Sequence, residues 1–237
     1  MSVRHRWSMG LAALAALPGC AGTETGNAAD DGVPVIISLA FETRALPDAD
    51  DRVFSVERAV GNVRRIDLDL PAGLSCADAA PAVVGGVCAE GRIRFEGPWT
   101  VDLLTGELDP PSELRVPAGR YERIDVRFVP DDDSDVSLTV EGQAPGGGRF
   151  RLLGDFSEDA RFEGDAAVVA DAGPVSVRLV MPVHEWFADA PLAQCIASGV
   201  PRDADGAALI TEELDDPCDA VIDDVRRSMK RDGRIDD

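Results

Sequence analysis

Acidic residues near the C-terminal end of the sequence have a spacing that suits binding of a divalent cation. Asp203, Asp205, Gly206 and Glu212 match four positions of the calcium-loop pattern D-x-[DN]-x-[DN]-G-x5-E. In such a loop carboxylate oxygens replace the water that Ca²⁺ loses, and the glycine allows a sharp turn. Pro201 stands where the first aspartate belongs. We therefore favour a solvated turn in an acidic surface, and a weak calcium site at Asp203, Asp205 and Glu212 is the alternative.

No motif in the sequence brings together the residue types of a common catalytic site. His184 is the only histidine apart from His5, and no G-x-S-x-G segment is present. A single histidine does not make a histidine-rich metal site, and among 44 acidic residues any one carboxylate pair is uninformative. We therefore predict that the protein is not an enzyme. A hydrolase whose catalytic carboxylates escape recognition is the alternative.

The N-terminal segment has the layout of a bacterial lipoprotein signal. Arg4 and Arg6 precede an apolar run over residues 7–17, which is too short for a stable transmembrane helix. Residues 17–20 read L-P-G-C and resemble the lipobox Leu-Ala/Ser-Gly/Ala-Cys, with a proline at its second position. The resemblance implies cleavage before Cys20 and the attachment to it of several lipid chains, which stable anchoring requires. An ordinary signal peptide with a chance cysteine is the alternative.

The lipobox interpretation divides the N-terminal part of the chain. It assigns residues 1–19 to a lipoprotein signal peptide and residues 20–32 to the lipidated cysteine and a flexible tether of small and polar residues. Ala21, rather than an aspartate, follows the cysteine, and the enterobacterial sorting pattern then favours the outer membrane. We predict an exported protein, anchored by lipid to the outer membrane on its periplasmic or surface face.

Four further cysteines suit an exported protein. Four cysteines allow three pairings, and we favour the local one, Cys76 with Cys88 and Cys195 with Cys218. In the chain-entropy model each of these short loop closures stabilises by about 3 kcal/mol. Four free thiols are disfavoured in an oxidising compartment. A zinc site made of four thiolates is disfavoured because the sequence contains no C-x-x-C pair.

The chain is strongly acidic, with 44 acidic and 23 basic residues and a formal net charge of −21 at pH 7. This charge repels nucleic acid and anionic lipid headgroups. We therefore expect no nucleic-acid partner, and a folded domain beside the membrane rather than flat on it. The expected partners are the membrane, through the lipid anchor, and an unidentified envelope protein or glycan.

Residues 33–182 show the alternation of apolar and polar residues that is typical of half-buried strands. Ile124, Val126 and Phe128, for example, alternate with charged residues, and turn-forming residues separate the short strands. The pattern predicts a mainly β fold, an antiparallel β-sandwich over 33–182. The periodicity then changes, and residues 183–237 are predicted to form a small C-terminal α-helical element with acidic loops.

Two segments in the middle of the chain resemble a recurring part of a bacterial lipoprotein family. They are WTVDLLTG at residues 99–106 and VPAGRYERIDV at residues 116–126. The family has a prealbumin-like β-sandwich domain of unknown function, and its pattern is Asp-Leu-Leu, a spacer and Leu/Val-Pro-x-Gly-x-Tyr-x-x-Ile-x-Val. The resemblance implies the sandwich fold and carries no activity. Pro117 and Gly119 suit a tight turn before Tyr121.

Together these features predict a non-enzymatic, lipid-anchored cell-envelope protein that is a binding or structural module for an unidentified ligand. The alternative function is Ca²⁺-dependent binding through the C-terminal acidic loops. We expect no cofactor for the favoured function, and Ca²⁺ is the cofactor of the alternative.

Overall fold

The structure is a computed structural model that describes residues 32–111, 114–169, 173–230 and 233–236. The predicted signal peptide and the predicted lipidation site at Cys20 lie outside the described residues. Within the described ranges, no helix is long and apolar enough to cross a membrane.

Strands take up 49% of the structure and helices 15%, which confirms the mainly β fold. The strands that the structure describes are β1 (Val33–Phe41), β2 (Ala45–Pro47), β3 (Val53–Asp69), β4 (Gly86–Ala89), β5 (Arg92–Asp102), β6 (Glu107–Asp109), β7 (Leu114–Val116), β8 (Gly119–Phe128), β9 (Leu138–Gln143), β10 (Arg149–Gly154), β11 (Glu158–Val169), β12 (Val175–Met181), β13 (Ala208–Ile210) and β14 (Gly233–Asp236). The helices are α1 (Cys76–Ala79), a 3₁₀ turn (Ala80–Ala82), α2 (Val183–Phe187), α3 (Leu192–Ala197) and α4 (Cys218–Met229).

The strands belong to one large sheet. Its main path runs β13-β10-β9-β3-β8-β11-β14-β12-β1-β7, while β5 pairs with the other edge of β3 and carries β4 and β6. Three pairings are parallel, namely β1 with β12, β10 with β13 and β11 with β14. The sheet is therefore mixed, which corrects the prediction of a purely antiparallel sandwich.

Long-range pairing explains this correction. β1 opens the described domain and lies beside β12, more than 130 residues later in the chain. The period of two within a strand shows which face is buried, but it does not identify the neighbouring strand or its direction. Residues 183–237 contain the expected helices, and they also add β13 and β14 to the sheet.

The 17-residue strand β3 connects the two parts of the sheet. One of its edges pairs first with β9 and then with β8, and its other edge pairs with β2 and β5. The register shifts between Val63 and Arg65, so Val63 and Ile66 are both buried although they are three residues apart. Beyond this shift β5, β3, β8 and β11 are consecutive neighbours, and their outward faces make one continuous surface.

The alternate side chains of β8 that the sequence predicts to be buried do face the core. Ile124, Val126 and Phe128 are almost completely buried. Asp125 points to the opposite face, yet only 7% of it is exposed. A half-buried strand is expected to present such a residue to water, so the burial of Asp125 requires neighbours that cover its charge.

Both predicted cysteine pairs lie at disulfide distance. The Cα atoms are 5.3 Å apart for Cys76 and Cys88 and 4.7 Å apart for Cys195 and Cys218. The first pair joins α1 to β4. The second pair is buried and joins α3 to α4, so the C-terminal helices are cross-linked to each other.

Candidate functional site

A cleft of about 440 Å³ lies on the face of the sheet that points away from the core. Strands β3, β5, β8 and β11 supply most of its lining, and Lys230, directly after α4, adds to it. The nine described residues that line it are all charged: Arg65, Asp67, Arg92, Arg123, Asp125, Glu158, Asp159, Arg161 and Lys230.

A repeated local pattern supplies most of these charges. The four strands carry the segments RIDLD (65–69), RIRFE (92–96), RIDVR (123–127) and DARFE (159–163). Each segment has charged residues at its first, third and fifth positions, which point to one face of a strand. The residues between them are buried in the core. We call these twelve charged residues the charge lattice.

The register of the strands places the lattice in rows across the sheet. One row of successive cross-strand partners is Arg94, Asp67, Asp125 and Arg161. The neighbouring row is Glu96, Arg65, Arg127 and Asp159. The signs are + − − + in the first row and − + + − in the second, so every charge in these two rows has an opposite charge two residues away on its own strand.

Asp67 is held by arginines of its own and of the adjacent strand. Its Oδ1 accepts a hydrogen bond from Nε of Arg94 at 2.8 Å, and its Oδ2 lies 2.7 Å from Nε of Arg65. The Arg65 N–H is not aligned with this oxygen, so the second contact is an ion pair without a hydrogen bond. Only 3% of Asp67 is exposed. The hydrogen bond to Asp67 raises the pKa of Arg94.

Asp125 contacts three arginines from three strands. Its carboxylate lies 3.0 Å from Nη1 of Arg92, 2.7 Å from Nη2 of Arg123 and 3.3 Å from Nε of Arg161. Burial by itself raises the pKa of Asp125, but the hydrogen bonds and charges of Arg123 and Arg161 outweigh it, and the pKa is lowered. Asp125 is therefore a buried carboxylate that stays ionised and fixes the arginines around it.

These contacts leave donor groups free at the cleft. Arg161 approaches Asp125 and Glu163 most closely through Nε, at 3.3 and 3.6 Å, and among the described residues its side chain donates one hydrogen bond, from Nε to Asp125. The Arg161 side chain is 44% exposed. Arg65 is likewise held at Nε, and its Nη2 is 3.8 Å from Asp159. A guanidinium fixed at Nε presents its terminal nitrogens to an incoming oxyanion.

The cleft differs in charge from the molecule around it. Five cationic and four anionic groups line it, whereas the whole chain has a net charge of −21. At physiological ionic strength the screening length is about 8 Å. An anion inside the cleft therefore interacts mainly with the cleft's own groups rather than with the acidic surface as a whole.

The predicted calcium ligands do not form a metal-binding group. Asp203 Oδ1 accepts hydrogen bonds from the backbone N–H groups of Asp205 and Ala207, both at 2.9 Å, and Oδ2 lies 2.8 Å from Nη1 of Arg151. Among the residues that the structure describes, no three His, Cys, Asp or Glu side chains lie close enough to hold a metal ion. The structure therefore does not bring Asp203, Asp205 and Glu212 together as a metal-binding group, and Arg151 supplies the positive charge opposite Asp203. A calcium site at these residues stays a prediction from the sequence.

Glu212 has a separate environment. Its Oε1 is buried and has no hydrogen-bond partner among the described residues. Burial raises the pKa of the Glu212 carboxyl, and Arg226 opposes this shift only in part. The environment of Glu212 therefore disfavours the ionised carboxylate, which is the form that binds a cation.

His184 belongs to a second polar cluster. Its Nδ1 lies 3.0 Å from Oε2 of Glu42, whose Oε1 is 2.6 Å from Nη1 of Arg234. The hydrogen bond from Arg234 contributes most to lowering the pKa of Glu42. The described residues that line the adjacent pocket include no serine, threonine or cysteine, so this cluster contains no nucleophile for the histidine to activate.

Sequence reasoning recognised the alternation in β8 but did not single out the charge lattice as a site. Its signal is the recurrence of four five-residue segments with charges at alternate positions. The four segments form a site only because the register of the strands brings them together.

No family model, curated protein or solved structure matches the chain.

Proposed function

We propose that the protein is an exported, lipid-anchored module of the cell envelope that has no catalytic activity and binds an anionic ligand through the cleft in the charge lattice. The lipid on Cys20 holds the folded domain near the membrane, and the cleft recognises the ligand there.

Sequence and fold both support the envelope assignment. The lipobox-like segment at residues 17–20 supplies the anchor, and two cysteine pairs at disulfide distance suit an oxidising compartment. We retain the two-layer, prealbumin-like arrangement as part of the proposal. It is supported by the buried hydroxyl of Tyr121, which donates a hydrogen bond to the Pro117 carbonyl at 2.7 Å within the family-like segment.

The observation that carries the binding proposal is the orientation of Arg161. Arg123 binds Asp125 through a terminal guanidinium nitrogen as well as through Nε. Arg161 is instead held at Nε by Asp125, and its exposed Nη groups are left for another acceptor. Because the guanidinium is already held in place, little side-chain entropy is lost when an oxyanion binds.

Calorimetric titration of the purified full-length protein with inorganic phosphate tests this function. We expect saturable binding that weakens as salt is added. Arg161→Gln should weaken it about tenfold, since one charge-assisted bidentate contact is lost. The matched control is Arg58→Gln, because Arg58 is exposed and pairs with Glu141 outside the cleft. Absence of binding, or equal weakening by both substitutions, would contradict the proposal.

The anchor has its own test. Mass spectrometry of the protein from the membrane fraction should find a chain that begins at Cys20 and carries acyl groups, whereas Cys20→Ala should be neither cleaved at that position nor acylated. A wild-type chain without acyl groups on Cys20 would rule out lipid anchoring at Cys20.

A further inference from the structure

We infer that the ligand of the cleft is an acidic saccharide, a sugar that carries a phosphate or carboxylate group beside free hydroxyls. The inference rests on the proposed function, which assigns anion binding to the cleft, and it adds the chemical class of the ligand.

The arginines define where the acidic group binds. The two Nη groups of Arg161 donate no hydrogen bond among the described residues, and Arg65 is ion-paired through Nε with Asp67 on the neighbouring side of the lattice. A guanidinium fork matches the two oxygens of a carboxylate or of a phosphate. One anionic group on the ligand is therefore enough to use the free donors of the cleft.

The carboxylates of the cleft favour a ligand that carries hydrogen-bond donors. Asp159 is 46% exposed and accepts a hydrogen bond from Arg127 at 2.9 Å, and Glu158 is 17% exposed and lies 3.1 Å from Nζ of Lys230. Each ionised carboxylate has further lone pairs that can only accept hydrogen bonds. An anion such as inorganic phosphate brings at most its one or two acidic O–H groups as donors, and these carboxylates repel its charge. A sugar hydroxyl donates a hydrogen bond to a carboxylate and also accepts one from a guanidinium. It can therefore form a hydrogen bond beside either kind of charge in the charge lattice.

The lining excludes other ligand classes. Among the described residues that line the cleft there is no apolar or aromatic side chain, so they offer neither a surface for an acyl chain nor a platform for ring stacking. A polymer with closely spaced phosphates would place several negative charges beside the four carboxylates. A neutral sugar would leave the Arg161 fork without an oxyanion. A sugar with one acidic group avoids each of these mismatches.

The size of the cleft agrees with this class. Its volume of about 440 Å³ falls within the range of about 300–1,000 Å³ for small-molecule sites. The cleft can therefore accept a complete sugar ring rather than only the acidic substituent.

The test is a calorimetric comparison of four probes on the full-length protein in a detergent that has no sugar headgroup. The probes are inorganic phosphate, glucose, glucose 6-phosphate and glucuronate. We expect glucose 6-phosphate to bind about tenfold or more tightly than phosphate, since hydroxyl contacts to charged groups are added. Glucuronate should also bind, and glucose should show no binding.

Two substitutions test separately how the cleft recognises the acidic group and how it recognises the sugar hydroxyls. Arg161→Gln should weaken the binding of phosphate and that of glucose 6-phosphate by the same factor. Asp159→Asn should weaken the binding of glucose 6-phosphate, because it removes a carboxylate oxygen that accepts a hydrogen bond from a sugar hydroxyl. It should leave the binding of phosphate equal or stronger, because it also removes a negative charge that repels the anion. Glu158→Gln is a second variant of the same type, and Asp132→Asn, which lies outside the lining, is the control. Unchanged unfolding temperatures identify the variants that remain folded.

The outcomes distinguish this inference from the function on which it rests. Equal affinities for phosphate and glucose 6-phosphate, unaffected by Asp159→Asn and Glu158→Gln, would overturn the saccharide inference and leave anion binding in place. Binding of glucose as tight as that of glucose 6-phosphate would also overturn it, because the acidic group would then contribute nothing. Failure of both phosphate and glucose 6-phosphate to bind would overturn the proposed function and this inference together.

Discussion

Asp125 shows at the level of a single residue how the charge lattice is held together. It lies on the outward face of β8, and it contacts Arg92, Arg123 and Arg161. Each arginine alone would be a flexible, hydrated side chain. Their shared buried carboxylate fixes all three, so the geometry of the cleft depends on the charge at this one position.

Replacement of Asp125 by asparagine tests this role. Asp125→Asn keeps the shape of the side chain and removes its charge, so the three arginines lose their common partner. We expect the free energy of unfolding to fall by about 1–3 kcal/mol at pH 7, the range for a buried group that loses a charged partner. Chemical denaturation measures this change. Asp132→Asn, in an exposed turn, should have almost no effect.

The same pair of proteins should differ in their response to acid. The pKa of Asp125 in the folded protein is lowered from an unfolded value of about 3.9, so the ionised form favours the folded state. This contribution is complete above pH about 4 and is lost as the pH falls through the lower, folded value. The stability difference between wild type and Asp125→Asn should therefore shrink below pH about 4. A difference that grows in acid would contradict the assignment.

Glu212 is expected to behave in the opposite way. Its pKa is raised by burial, so its contribution to stability is complete below the unfolded value of about 4.3 and is lost as the pH rises through the folded value. Glu212→Gln should be at least as stable as wild type at pH 7, and millimolar calcium should not raise the unfolding temperature of either protein. A rise with calcium that Glu212→Gln abolishes would restore the calcium-loop interpretation.

At the scale of elements, β14 is a four-residue strand that fills a gap between two longer ones. It pairs with β11 through Phe162 and Glu163 and with β12 through residues 178–180. A Cβ atom at Gly233 would lie 2.5 Å from Cδ1 of Phe162 and 3.0 Å from the carbonyl oxygen of Val180. Only glycine therefore lets the strand approach its neighbours this closely.

Gly233→Val should consequently displace β14 from the sheet. We expect the free energy of unfolding to fall by about 1–3 kcal/mol, as for other overpacked sites. Amide hydrogen exchange should accelerate at Val180, which is the register partner of Arg234 and whose backbone polar groups face β14. Gly148→Val is the matched control, because a Cβ at Gly148 meets no atom within 4 Å. Equal protection of Val180 in both variants would show that β14 does not depend on Gly233.

The same elements show what the sequence can and cannot predict. The alternation of Ile124, Val126 and Phe128 correctly identified the buried face of β8, and the short cysteine spacings correctly identified the two pairs. The parallel partners of β1 and β11 were not predictable, because a strand's own periodicity contains no information about a distant neighbour. β14 was missed for a related reason, since four residues are too few to show a periodic pattern.

For the whole molecule, the candidate site results from the register of four strands rather than from a local motif. Asp203, Asp205 and Glu212 have the spacing of a loop that binds a cation, yet the tertiary fold places Arg151 against Asp203. The lattice residues looked like ordinary solvated positions in the sequence. Pairing of β5, β3, β8 and β11 converts them into a cleft with a net positive charge in a chain of net charge −21.

The central claim is that this cleft binds an anionic ligand, and nuclear magnetic resonance of the arginine side chains tests it most directly. The Nε–Hε signals of Arg65, Arg123 and Arg161 are followed while glucose 6-phosphate is added to the full-length protein. We predict saturable shifts of these three signals, with the Arg58 signal unmoved. Shifts confined to arginines outside the cleft, or uniform small shifts of all arginine signals, would contradict the account.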